Sequence, residues 1–162
     1  MGTFGELFTK IFNGDSLAIF GAALAVVLPG IGSAKGVNMV ARATAGLISE
    51  DPNKYGKSML LQALPMTQGI YGMVTAFLIM IFSGATPGGT MEIAMGANYF
   101  FAALPIAFGG LYSAIKQGEV AAAGISVLAK RPDAVGKAVI SASFVELYAI
   151  LALLISLLLI LL

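Results

Sequence analysis

The chain has 162 residues, of which 59% are hydrophobic and 10% are charged, a composition typical of an integral membrane protein rather than a soluble domain. Its formal net charge is +1, which gives neither a basic surface nor an acidic tail, so we expect no nucleic-acid partner. Cysteine and histidine are both absent, which excludes disulfides, thiolate chemistry, and zinc binding or catalysis by imidazole.

Four apolar segments, each long enough to cross a bilayer, follow a short amphipathic lead-in at residues 1–15. About 20 residues of helix span a hydrocarbon core of about 30 Å. The segments cover about residues 16–48, 55–82, 92–128 and 134–162. The sequence therefore predicts an all-α membrane protein with four transmembrane helices in a single membrane domain, residues 1–162.

The three breaks between these segments are short and rich in turn-forming residues. They fall at residues 49–53, 83–89 and 130–133, and each contains a proline. Short loops make consecutive helices antiparallel. We therefore predict two helical hairpins, at residues 16–82 and 92–162.

Basic residues adjoin the first and third breaks but not the middle one. They are Lys54, Lys57, Lys130, Arg131 and Lys137. Because cytoplasmic loops carry an excess of Lys and Arg, we expect loops 49–53 and 130–133 to face the cytoplasm and both termini to lie outside.

The chain also repeats itself at an offset of 80 residues. Matching pairs include Phe20 with Phe100, Leu24 with Leu104, Ser33 with Ser113, and Lys57 with Lys137. A fixed internal period indicates repeated structural units. The two hairpins are therefore predicted to be duplicated, parallel repeats.

Glu146 is the only charged residue between positions 138 and 162. A charged side chain at the centre of a bilayer costs roughly 2.5 to 3.5 kcal/mol on insertion scales, so it is rarely kept without a partner or a function. The repeat places Glu146 opposite Met66, so the first hairpin lacks a carboxylate at this position. We expect Glu146 to carry a cation across the membrane.

Oxygen-bearing groups surround Met66 in place of a charge. Pro65 has no N–H and can free a backbone carbonyl nearby. Carboxylate, hydroxyl, amide and carbonyl oxygens suit a hard cation such as Na+, whereas a proton needs only the carboxylate and one hydrogen-bond partner. Three polar side chains follow this position, namely Thr67, Gln68 and Tyr71. The third segment contributes a fourth, Gln117.

Three segments together resemble the rotor-ring proteolipid, the c or K subunit, of V/A-type ATPases, and in particular its bacterial sodium-translocating branch. They are LPMTQGIYG at residues 64–72, QGEVAAAG at 117–124 and VELYAI at 145–150. The resemblance extends from about residue 16 to the C-terminus and includes the duplication. It implies assembly into a homo-oligomeric ring.

The resemblance implies that Glu146 is the ion-carrying carboxylate and that Na+ is the transported ion. It further implies that Tyr71 hydrogen-bonds the carboxylate and helps to close the site. The remaining sodium ligands that it implies are the Leu64 backbone carbonyl, the Thr67 hydroxyl, and the amide oxygens of Gln68 and Gln117.

The resemblance also implies partners: identical subunits in the ring, a stator membrane subunit with an arginine, central-stalk subunits and lipid, in a bacterial plasma membrane. The chain itself is expected to be no enzyme but a subunit of a rotary ATPase that binds no nucleotide. The glycine-rich segment at residues 30–36 matches neither the Walker nor the dinucleotide spacing. Its Gly32 and Gly36 instead predict tight packing of the first and third helices, as the inner wall of the ring.

Other interpretations of the same residues stay open. The ring could carry protons instead of sodium, or the chain could be a small proton-coupled antiporter or a structural proteolipid that forms a pore or junction. Glu146 could be a protonated structural carboxyl bonded between helices. Thr67, Gln68 and Tyr71 could simply join helices, as hydroxyls and amides often do in membranes.

Overall fold

The structure is a computed structural model that describes Thr3, Gly5 and residues 11–162, so most of the predicted lead-in lies outside the described residues. Four of its helices are long and apolar enough to cross a membrane, and we number them first to fourth. They are Gly14–Glu50, Pro52–Ser83, Ile93–Lys130 and Val135–Leu161. The prediction of four spanning helices is confirmed, and the described part of the chain contains no strand.

The second helix changes its winding at a proline. Its α-helical parts, Tyr55–Ala63 and Thr67–Ser83, flank a 3-10 turn at Leu64–Met66. Pro65 has no N–H for the ordinary helical ladder, so the chain tightens and the N–H of Thr67 bonds to the Leu64 carbonyl. The turn lies among the residues that the sequence singled out as polar ligands.

The first and third helices pack closely and in parallel through small residues. A Cβ atom added to Gly32 would lie 2.6 Å from the Leu111 carbonyl oxygen, and one added to Gly36 would lie 2.5 Å from that of Ala114. One added to Gly118 would overlap the backbone of Gly36. The predicted close packing of these helices is therefore confirmed. Residues that face each other across this contact are about 80 positions apart in the sequence, so the two repeats contact each other in register.

The loops of the two hairpins lie side by side at one end of the molecule. Lys54 Nζ donates to the Ala129 carbonyl at 3.0 Å, and Lys57 Nζ donates to the Pro132 carbonyl at 3.4 Å. Both bonds cross from the first hairpin to the second. They place loops 49–53 and 130–133 at the same end of the bundle, as expected when consecutive helices run in opposite directions.

At the opposite end, the start of the first helix holds the connection between the hairpins. The buried Asp15 carboxylate accepts the backbone N–H of Thr86 at 2.9 Å and of Met91 at 2.7 Å. Asn13 accepts the N–H of Ser16 as the helix cap and donates to the Gly89 carbonyl at 2.8 Å. These bonds attach the connection between the hairpins to the start of the first helix.

Replacing Gly36 with valine should destabilise the packing of the first and third helices. Overpacking of a tight contact costs typically about 1–3 kcal/mol, and the Cβ would meet backbone that cannot move aside. Gly46→Val is the matched control, because a Cβ on Gly46 meets nothing within 4 Å. Loss of helical circular dichroism on heating the purified protein in detergent should occur at lower temperature for Gly36→Val alone. Equal midpoints for the two variants would contradict this account.

Candidate functional site

Glu146 lies near the middle of the fourth helix. At 1.5 Å per residue it is about 16 Å along the axis from Val135 and about 22 Å from Leu161. Its side chain is half-buried, and no ion pair in the described part of the chain includes it. The carboxylate must therefore be stabilised by neutral groups, by a bound cation or by protonation.

Side chains from two other helices hydrogen-bond the carboxylate. The Tyr71 hydroxyl, on the second helix, donates to Glu146 Oε1 at 2.7 Å. The Gln117 amide nitrogen, on the third helix, lies 3.4 Å from Glu146 Oε2 and 3.2 Å from the Ala142 carbonyl. The carboxylate is thus held where three helices meet.

Gln68 extends this network towards the second helix. It is completely buried, and its amide nitrogen donates to Gln117 Oε1 at 2.7 Å and to Ser113 Oγ at 3.2 Å. Both of its N–H groups are used, so its oxygen faces the other way, towards the Thr67 hydroxyl at 3.3 Å. Gln117 Oε1 keeps one free lone pair after accepting from Gln68.

The Thr67 hydroxyl joins the Gln68 oxygen to the 3-10 turn. Thr67 Oγ1 lies 3.1 Å from the Leu64 carbonyl and 3.3 Å from Gln68 Oε1. One hydroxyl proton can serve only one of these two acceptors at a time. Three oxygen atoms therefore lie together with a single hydroxyl proton to share, an arrangement in which a cation could bind.

All of the predicted site residues belong to one connected network of polar contacts. Its predicted members are Leu64, Thr67, Gln68, Tyr71, Gln117 and Glu146.

Ser113 and the Ala142 carbonyl are members that the sequence reasoning missed. Ser113 donates to the Val145 carbonyl at 2.9 Å while accepting from Gln68. The sequence could have indicated Ser113, because this residue repeats Ser33 and lies one helical turn before Gln117 on the same helix face.

The charge of the network suits one monovalent cation. Among the residues that the structure describes, no three His, Cys, Asp or Glu side chains come together as they would around a transition metal. A single carboxylate is balanced by one Na+ or one proton. The surrounding groups contribute neutral oxygens, which coordinate a hard cation without adding charge.

These features define a class: a membrane proteolipid made of two copies of a helical hairpin, with one carboxylate at mid-depth. The family of the ATP synthase C subunit matches residues 20–79 and, a second time, residues 100–159. The chain belongs to this family. The two matches are offset by 80 residues, which confirms the internal repeat.

Two relatives agree with this assignment. The chain is 50% identical over 149 residues to the V-type sodium ATPase subunit K of Enterococcus hirae, covering 92% of this chain and 93% of that protein. It is 40% identical over 144 residues to the A-type ATP synthase subunit K of Methanocaldococcus jannaschii, covering 88% of this chain and 61% of that protein. The predicted family of ring-forming membrane subunits is confirmed, and the antiporter alternative does not fit it.

Replacing Gln117 with leucine should destabilise the protein, because Gln68 would lose its 2.7 Å acceptor inside the bundle. A buried polar group left unpaired costs about 1–3 kcal/mol. Gln62→Leu is the matched control, since Gln62 is half-buried on the second helix and its side chain makes no hydrogen bond to the described residues. On heating in detergent, Gln117→Leu should unfold at a lower temperature than Gln62→Leu. A Gln117→Leu protein as stable as Gln62→Leu would contradict the network described above.

Proposed function

We propose that the chain is the ion-carrying rotor subunit of a V-type ATPase, and that it translocates Na+ by reversible binding at Glu146. Ring rotation and ATP hydrolysis in other subunits drive this transport. The observation that supports the proposal is one connected network of polar side chains from three helices, which joins the mid-membrane Glu146 carboxylate to the oxygens of Gln68 and Thr67. The name of the Enterococcus relative, a sodium ATPase subunit, supports the same ion.

The oxygen inventory favours Na+ over a proton. The ligands in this proposal are Glu146, the Leu64 carbonyl, the Thr67 hydroxyl, and the amide oxygens of Gln68 and Gln117. A proton needs only the carboxylate and one partner such as Tyr71, so the other oxygens of this set would have no part in binding it. A ring that carries H+ is the alternative within the same family.

Ion binding controls rotation through the cost of exposing charge to lipid. A bare Glu146 carboxylate is expensive to move through acyl chains, whereas one neutralised by Na+ is not. The Tyr71 hydroxyl holds Oε1 at 2.7 Å and closes the site while the subunit faces lipid. An arginine of the stator subunit then replaces the ion as the partner of the carboxylate. Moving one charge against 100 mV requires about 2.3 kcal/mol, which ATP hydrolysis supplies.

The partners in this proposal are identical copies of the chain in the ring, the stator subunit, the central-stalk subunits and lipid. Loops 49–53 and 130–133 lie together at one end of the bundle. Basic residues are concentrated there, and loop 83–89 at the other end has none. By the positive-inside rule, the basic end faces the cytoplasm of a bacterial cell and the other end faces outside.

Single cysteines test this orientation, since the chain has none of its own. Thr86→Cys and Asp133→Cys place thiols in exposed positions at opposite ends. A membrane-impermeant maleimide should label Thr86→Cys in intact cells and Asp133→Cys only after the membrane is opened. The reverse pattern would invert the proposed topology.

Dicyclohexylcarbodiimide labelling tests the ion. This reagent attacks a protonated buried carboxyl, so Na+ bound at Glu146 should block the reaction. Labelling of membranes that contain the assembled complex should fall as Na+ rises to millimolar concentrations, while choline has no effect. Glu146→Gln should show no labelling at this site. Equal labelling with and without Na+ would rule out sodium and favour the proton ring.

A threonine pair adds a matched control to the same assay. Thr67→Val removes one ligand and should raise the half-protecting Na+ concentration roughly tenfold, as expected for about 1.4 kcal/mol. Thr75→Val should leave it unchanged, because the buried Thr75 hydroxyl only donates to the Tyr71 carbonyl of its own helix. Identical behaviour of the two variants would remove Thr67 from the site.

A further inference from the structure

The Ser113 hydroxyl connects three helices beside the ion site without touching the carboxylate. Only 4% of the residue is exposed. Its Oγ donates to the Val145 carbonyl of the fourth helix at 2.9 Å and accepts from the Gln68 amide nitrogen of the second helix at 3.2 Å. Neither bond involves Glu146, although Val145 directly precedes it.

The chemistry of these groups fixes the direction of both bonds. A serine hydroxyl has one proton, and a backbone carbonyl can only accept. The proton of Ser113 is therefore committed to Val145, which leaves only lone pairs for Gln68. Gln68 must present its NH2 group to Ser113, and its second N–H donates to Gln117 Oε1 at 2.7 Å. Its oxygen is left facing Thr67.

We infer that Ser113 is a positioning residue for sodium binding, which holds the Gln68 amide so that its oxygen, not its nitrogen, faces the ion. The inference rests on the proposed function. Without the hydroxyl, only the bond to Gln117 Oε1 still orients the amide. An amide that turns over offers N–H groups to a cation, which they cannot coordinate. The same hydroxyl holds the fourth helix against the second at the residue before Glu146.

The internal repeat supplies a matched control. Ser33 is the equivalent of Ser113 in the first hairpin, is similarly buried at 8% exposure, and its Oγ accepts the Gly69 N–H at 2.9 Å. It joins two helices but bonds to no glutamine among the described residues. Replacing Ser33 with alanine removes a similar hydroxyl from a similar environment, so it reports the effect of lost packing and bonding alone.

The experiment compares Ser113→Ala with Ser33→Ala in membranes that contain the assembled complex. The half-protecting Na+ concentration against carbodiimide labelling of Glu146 should rise roughly tenfold in Ser113→Ala. It should not change in Ser33→Ala. The pH dependence of labelling without Na+ should stay that of the wild type in both variants, because general loosening of the site would move this profile as well.

A double-mutant cycle tests whether Ser113 acts through Gln68. In a Gln68→Ala background, Ser113→Ala should weaken Na+ protection no further, since there is no amide left to position. A second effect of full size in that background would overturn the inference. So would equal shifts in Ser113→Ala and Ser33→Ala, or a changed pH profile in Ser113→Ala.

Ser113→Cys covers the case in which the alanine variant does not assemble. A thiol accepts amide hydrogen bonds only weakly, so this variant should give an intermediate Na+ requirement. If neither Ser113 variant assembles while Ser33→Ala does, the hydroxyl serves packing and the inference is overturned. A wild-type complex that Na+ does not protect overturns the proposed function and this inference together. A protected wild type with an unaffected Ser113→Ala overturns this inference alone.

Discussion

The cost of keeping a carboxylate in the middle of an apolar bundle governs the rest of this structure. Glu146 has no basic partner among the described residues, so its charge is met by the Tyr71 hydroxyl and the Gln117 amide. These neutral donors reduce the cost of the charge but do not cancel it. In the proposed function a bound cation cancels it, and ion binding is thereby linked to movement past lipid.

The fold supplies the network through close helix packing. Gly36 lets the first helix approach both the third helix and the 3-10 turn, because a Cβ there would lie 2.7 Å from the Cβ of Pro65. This contact holds the turn that carries the Leu64 carbonyl and the Thr67 hydroxyl. Stripes of small residues let helices pack closely in many membrane proteins. Here such a stripe and Pro65 also fix the position of the proposed ligands.

The two hairpins of the duplicated chain differ in the groups that they contribute to the site. The second repeat keeps the acid at Glu146, whereas the first has Met66 at that position and contributes uncharged oxygens beside it. Even the paired serines have diverged, since Ser33 accepts a backbone N–H and Ser113 bonds an amide side chain. Each four-helix chain consequently has one carboxylate at this pair of equivalent positions, and in the proposed function it carries one ion.

The sequence by itself determined the number of spanning helices, the breaks between them, the 80-residue repeat and the position of the lone charge at Glu146. Hydropathy, turn chemistry and the cost of a lone charge are local properties, so they can be read without coordinates. The neighbours Thr67, Gln68 and Tyr71 were also predictable, because they share one stretch of helix. Only the tertiary structure decided which atoms of the two glutamines face each other and that Ser113 joins Gln68 to the Val145 carbonyl. Contacts between helices depend on how each helix is rotated and how closely it approaches its neighbours, and a periodic sequence pattern specifies neither.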